Sequence, residues 1–168
     1  MSDERLRGDL VQNGGFEQGL TGWTTTNVGL EDRSYAHEGL LIAAMGKPDG
    51  NLALASMYQD VPVRPGRFYK LYFFVAGVAI DPADLTVDVR WLSDTGGDLG
   101  TGLPSPSPLF VPNATIGAAG AGEWKWVAVY ANESPYNAVQ ARISFNKAIG
   151  LVVINYLLID DVVFADQS

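Results

Sequence analysis

"YQDVPVRPGRFYKLYFFVAGVAI", residues 58–80, sets the period for the whole chain. Val61 and Val63 alternate with polar neighbours, Pro65-Gly66 supplies a turn, and an aromatic-rich run follows from Phe68 to Val78. Apolar residues at every second position, broken by a Pro-Gly pair, read as strand, turn, strand. The pattern spreads outward from there. LTVDVRWL (85–92) alternates Leu85, Val87, Val89 and Trp91 with polar partners and stops at Ser93-Asp94-Thr95-Gly96-Gly97. WKWVAVYA (124–131), AVQARISF (138–145) and VVINYLLIDDVVFA (152–165) are rich in Val, Ile and aromatic residues, the types that suit a pleated, half-buried surface. The only helical candidates, Leu40–Met45 and the DPADL segment at 81–85, are marginal, and both read as non-helical.

Strands separated by Gly, Pro, Asn and Asp predict an all-β antiparallel sandwich rather than β-α-β units. A chain of 168 residues, 47% hydrophobic, suits one jelly roll of two packed sheets. Residues 1–9 read as a disordered or extended leader and 10–168 as the single domain. The segment GTGLPSPSPLFVPNATIGAAGAGE (100–123) is poor in strand pattern and reads as a long loop.

Composition excludes several function classes. A net charge of −8 opposes non-specific contact with nucleic acid or an anionic membrane surface, so neither is an expected partner. The chain has no cysteine and one histidine, His37. Cys-His catalysis and zinc sites built on thiolates or several imidazoles are therefore impossible. His37 has no nucleophile elbow near it, no glycine-rich run has the spacing of a phosphate cradle, and the acids sit mostly in turns. No enzyme is predicted. MSDERLRGDL lacks the apolar core of a signal peptide, and no apolar run approaches the roughly 18 residues of a membrane span.

Three blocks in order, NGGFEQGLTGW (13–23), YQDVPVRPGRFYKLYFFV (58–75) and YLLIDDVVF (156–164), resemble the galactose-binding-like jelly-roll modules. These include the carbohydrate-binding modules that accompany xylanases and other glycanases, and the likeness runs from about Leu10 to Phe164. The chain also looks similar to small single-domain surface proteins of spore-forming bacteria. The resemblance implies a structural calcium ion as cofactor, held by Glu17 of the GGFE segment and Asp160 of the last strand. The ion is chemically sensible, because calcium takes carboxylate and carbonyl oxygens and a glycine turn brings backbone close. Alternation favours Asp160 over Asp161, since Asp160 shares its parity with Val162 and Phe164 and its carboxylate is then carried inward. Carbonyls of SYAHEG (34–39) are candidates to complete the shell, with His37 a loop residue or a neighbour of the ion. The plainer alternative makes Glu17 an exposed turn acid and Asp160 an acceptor of backbone hydrogen bonds.

Pyranose rings stack on aromatic faces, which directs attention to the tryptophans. Trp23 matches the family's Gly-Trp position and belongs to the core. Trp91, Trp124 and Trp126 remain as ligand candidates, together with the polar residues Arg90, Arg142 and Asn146, and Gln140 beside them. Trp91 lies on the strand that lines the concave face of related modules, and Trp124 and Trp126 share a face opposite in parity to Val127 and Val129. The leading expectation is a non-catalytic carbohydrate-binding module acting on a polysaccharide or glycan, at an extracellular, spore or cell surface. The alternative is a structural or assembly protein of such a surface, with the Pro-rich loop and aromatic strands as a homo-oligomer interface.

Overall fold

The computed structural model describes residues 8–32, 37, 39–49, 53–78, 83–150 and 156–168. Two antiparallel sheets pack face to face, formed by eleven strands in chain order: β1 Thr24–Thr26, β2 Val28–Asp32, β3 Leu41–Met45, β4 Ala55–Pro62, β5 Tyr69–Gly77, β6 Leu85–Leu92, β7 Asp98–Thr101, β8 Leu109–Val111, β9 Lys125–Tyr130, β10 Gln140–Lys147 and β11 Leu157–Asp166. The six-stranded sheet runs β1-β4-β10-β6-β7, with β8 also paired to β6, and the five-stranded sheet runs β2-β3-β11-β5-β9. Few neighbours are consecutive in sequence. That crossing of strands between two sheets is the jelly-roll sandwich the alternation predicts. No helix of the described residues is long and apolar enough to cross a membrane.

The alternating positions meet between the sheets. Leu71, Phe73 and Val75 of β5 face Val87, Val89 and Trp91 of β6 and Ile143 and Phe145 of β10 in one continuous core. Aromatic rings thread it: Phe16 meets Trp23 at 5.6 Å, Trp23 meets Phe145 at 6.1 Å, and Phe73 meets Phe145 edge-on at 5.0 Å. Leu41–Met45, one of the two marginal helical stretches, is a strand. The other begins at residues 81 and 82, outside the described residues, and ends where β6 starts at Leu85.

The segment 100–123 departs from the expectation of a long loop. Its first residues extend β7, Leu109–Val111 form β8, and two single 3₁₀ turns follow at Asn113–Thr115 and Ala119–Ala121. Sequence alternation misses β8 because the strand is three residues long and flanked by prolines. Between β7 and β8, Leu103, Pro104, Ser105, Pro106 and Pro108 line a cavity together with Val129 of β9. Further on, the backbone N–H of Gly77 donates to Gly117 at 2.8 Å. Ala119 and half-buried Trp124 there cover a second, small core of Ile42, Ala44, Ala76 and Leu158 on the outer side of the five-stranded sheet.

The amino-terminal segment is part of the architecture from its first described residues. Asp9 bridges antiparallel to Ala165, and its carboxylate accepts the N–H groups of Val11 at 2.9 Å and Phe164 at 3.1 Å. Burial holds that carboxylate above the ordinary aspartate range despite these hydrogen bonds.

Candidate functional site

Because strand parity is fixed, every residue on β4, β6 and β10 that does not enter the core emerges on the outer face of the six-stranded sheet. Register lines them up in rows. Arg142 lies opposite Asp60 on one side and Arg90 on the other, Ser144 opposite Tyr58 and Asp88, and Asn146 opposite Ser56 and Thr86. Three candidates scattered over the sequence, Arg90, Arg142 and Asn146, thus come together on one surface, with Gln140 at the end of the same column. Phe110 of β8 pairs with Thr86 and extends the Asn146 row; its ring is 55% exposed.

The charges on this face are fixed in place. Arg142 grips Asp60 with two hydrogen bonds of 2.8 and 2.9 Å, and its guanidinium lies 4.2 Å from the centre of the Tyr58 ring. Arg90 holds Asp98 at 2.7 and 3.3 Å and approaches Asp88 at 3.8 Å. Asp88 also accepts the Thr101 hydroxyl at 3.0 Å. The hydrogen bonds from Arg90 and from the Gly100 N–H hold the Asp98 carboxyl below the usual range, while Asp98 and Asp60 raise their arginine partners. Bidentate guanidinium–carboxylate pairs have planar, directional geometry, so hydroxyl-bearing ligands meet donors and acceptors already oriented. A cleft of about 280 Å³ opens at one edge, between Gln12, Thr24, Tyr58, Asp60 and Pro62. Its floor is a reciprocal pair: Gln12 N–H donates to Gln59 Oε1 at 2.7 Å and Gln59 Nε2 to the Gln12 carbonyl at 2.9 Å.

The tryptophans do not join this surface. Trp91 is 2% exposed and packs against Tyr69 in the core, which corrects its assignment as a ligand residue. Its parity is that of Val87 and Val89, so the strand that presents Arg90 outward necessarily turns Trp91 inward. Trp126 is 54% exposed, but on the outer face of the opposite, five-stranded sheet. Trp124 lies there too, half-buried, with its ring edge toward His37. The aromatics that do flank the polar rows, Tyr58 and Phe110, escape sequence reading. Tyr58 sits among core-forming residues of β4, and Phe110 lies in the Pro-rich segment; only strand register reveals that both rings face out.

The proposed metal residues lie at a different corner. The last strand carries a bulge: Asp160 pairs with Phe74 and Val163 with Tyr72, so Asp161 and Val162 together oppose Phe73. Asp161 has φ 49° and the Val162 N–H donates to the Gly14 carbonyl at 3.0 Å. The extra residue resets parity, which corrects the alternation argument. Asp160 is on the outward side with Phe74, opposite to Val162 and Phe164, and is nonetheless fully buried. Its Oδ1 accepts the Asp161 N–H at 2.9 Å. Glu17 Oε1 accepts the N–H groups of Leu40 and Leu41 at 2.8 and 3.1 Å. Ile159 pairs with Ala43, so register carries Asp160 level with Ile42, next to the strand end that Glu17 caps. His37 Nδ1 meets Asp161 Oδ2 at 2.8 Å and stacks on Phe74 at 3.7 Å.

The donors at this corner fit a hard cation in kind: carboxylates and glycine carbonyls, with no sulfur. Among the described residues no three of His, Asp and Glu converge as a metal cluster. Residues 34–36 and 38, candidates for completing a shell, lie outside the described residues.

No protein-family model and no curated protein matches the chain. Solved structures do. Tailspike protein 4 of bacteriophage CBA120, in its enzymatically active domain, superimposes with a TM-score of 0.69 at 20% identity over 94% of this chain, which spans only 21% of that one. TmCBM61, a carbohydrate-binding module solved with β-1,4-galactotriose, gives a TM-score of 0.63 at 18% identity over 95% of this chain and 99% of the module. A Stig cyclase from Fischerella sp. TAU gives 0.64 at 15% identity, covering 95% of this chain and 97% of the cyclase. Such identities speak for a shared fold, and the three proteins span binding and catalysis. The chain has the jelly-roll sandwich of the carbohydrate-binding modules.

Proposed function

We infer that the protein is a non-catalytic carbohydrate-binding module whose ligand lies across the outer face of the six-stranded sheet. The observation that carries this reading is the band of oriented polar groups, Asp60, Arg142, Arg90 and Asn146, bordered by the rings of Tyr58 and Phe110. From β4 to β8 is three strand spacings, about 14 Å, so the two rings bracket a segment of chain rather than a single sugar. Stacking at both borders with hydrogen bonding between them suits a neutral β-linked polysaccharide.

The carboxylates of this face support binding over hydrolysis. Glycosidic cleavage needs a carboxyl held protonated near neutral pH, and Asp98 is pushed the other way by Arg90. Asp60 is locked to Arg142. A structural calcium ion at the Glu17–Asp160 corner belongs to the same reading. Glu17, Asp160 and the Gly14–Gly15 backbone would hold it, and its role would be to fix the amino-terminal turn against β11.

Affinity electrophoresis and calorimetry against β-1,4-galactan, xylan, mannan and mixed-linkage glucan test the glycan assignment. Binding to at least one, with affinity reduced ten-fold or more by Arg142→Ala or Tyr58→Ala and an unchanged fold, is expected. Wild-type protein inert toward the whole panel would overturn the reading.

A further inference from the structure

The outer face of the five-stranded sheet carries a separate aromatic strip that the binding reading above does not use. β9 is the edge strand there, and its outward residues are Trp126, Ala128 and Tyr130; β5 beside it contributes Lys70, Tyr72 and Phe74. Trp126 is 54% and Tyr130 63% exposed, and they lie four residues, about 13 Å, apart along the strand. Ala128 between them leaves a shallow floor, lined on its β5 side by Tyr72, whose ring centroid is 6.4 Å from that of Trp126. Lys70 Nζ stands 5.3 Å from the centres of the Trp126 and Tyr130 rings and 5.8 Å from that of Tyr72. No described carboxylate pairs with it.

We propose that this strip is a second glycan-binding platform, so that one chain engages two polysaccharide strands on opposite faces of the sandwich. The proposal rests on the carbohydrate reading of the first face. Its own support is chemical: exposed rings in line along a strand offer stacking surfaces for successive sugars, and an ammonium without a counter-ion offers three donors to ring hydroxyls. A neutral sugar chain is the occupant that suits the charge. A second copy of a chain of net charge −8 is repelled.

Two sites of this kind make distinguishable signals. None of the four tryptophans lies on the six-stranded face, whereas Trp126 lies in the strip, so tryptophan emission reports the strip alone. Titration calorimetry and fluorescence with β-1,4-linked oligosaccharides of galactose, xylose, mannose and glucose are expected to give two ligands per wild-type chain and a shifted, quenched emission. The variant W126A/Y130A should bind one ligand with no emission change. R142A should also bind one, with the emission change kept. A wild-type stoichiometry of one that vanishes in R142A, or full stoichiometry in W126A/Y130A, would overturn the second platform and leave the first intact. So would a concentration-dependent dimer in light scattering that W126A/Y130A abolishes, since the strip would then be a contact between copies. Absence of any glycan binding by the wild type would overturn both readings together.

Discussion

At the scale of single residues, the turn at 13–17 shows how little freedom the fold leaves. Asn13 sits at φ 53° and organises its surroundings with its side chain, donating to the carbonyls of Gly19 and Thr21 at 2.9 Å and accepting the Gln18 N–H at 3.0 Å. Gly14 then passes so close to β11 that a Cβ there would lie 2.1 Å from the Val162 carbonyl oxygen, backbone against backbone. Gly14→Ala is expected to cost about 3 to 4 kcal/mol, the range of changes that force a packed backbone apart, read as a lowered denaturant midpoint. Gly15→Ala, whose Cβ would meet nothing nearer than 3.6 Å, should change stability by about 1 kcal/mol or less. The sequence NGGF announces a tight turn, but which glycine is obligatory emerges only once the last strand is docked against it.

At the scale of elements, the edges of the five-stranded sheet are tied by side chains that cross between strands. Glu31 on β2 receives the Tyr156 hydroxyl from just before β11 and pairs with Lys47 after β3 at 2.9 Å. Burial pushes the Glu31 carboxyl up, and the Tyr156 and Lys47 hydrogen bonds outweigh it and hold the group below its ordinary value. An acid whose native pKa is lowered stabilises the fold above its unfolded value, about 4.5, and loses that contribution as pH falls through the native one. Glu31→Gln should therefore be less stable than wild type at pH 7, by about 1 kcal/mol, since its Lys47 partner is exposed to solvent. In thermal melts from pH 7 to pH 2 the gap should close below about pH 4.5; a gap constant with pH would contradict the assignment. Strand identity was legible from alternation wherever a strand was long: β5, β6 and β10 lie where period two puts them, within a residue or two. Alternation failed where one residue was inserted. The bulge at Asp161 turned Asp160 to the face opposite that of Val162, so burial of the aspartate was foreseen for a reason that does not operate. β8 and Phe110 were hidden because three residues cannot display a period.

At the scale of the molecule, the two outer faces differ in chemistry although one alternating code writes both. The six-stranded face carries rows of paired charges; the β5–β9 side of the five-stranded face is aromatic around Lys70. Sequence reading grouped Arg90, Arg142 and Asn146, which share one face, with Trp91, whose parity turns it inward, and with Trp124 and Trp126 of the other sheet, because parity within a strand does not say which sheet the strand joins. Sheet membership is a long-range property. The calcium proposal acts at this scale too, since an ion at the Glu17–Asp160 corner would bind only the folded chain and stabilise it by mass action. Melts in millimolar calcium and in excess chelator should differ by several degrees for the wild type, and Glu17→Ala should remove the difference. Coincident wild-type melts after dialysis through denaturant and chelator would remove the ion from the account.

The antiparallel bridge of Asp9 to Ala165, with the Leu10 N–H on the Phe164 carbonyl at 2.8 Å, has a mechanical consequence. A pull applied through the residues just outside this pair loads neighbouring segments from the same end. Hydrogen bonds between them then open one after another, as in a zipper, instead of shearing together. A tether drawn from both sides would peel the amino-terminal segment from β11 at low force, starting at the Asp9–Ala165 bridge and running inward to the contact of Gly14 with Val162.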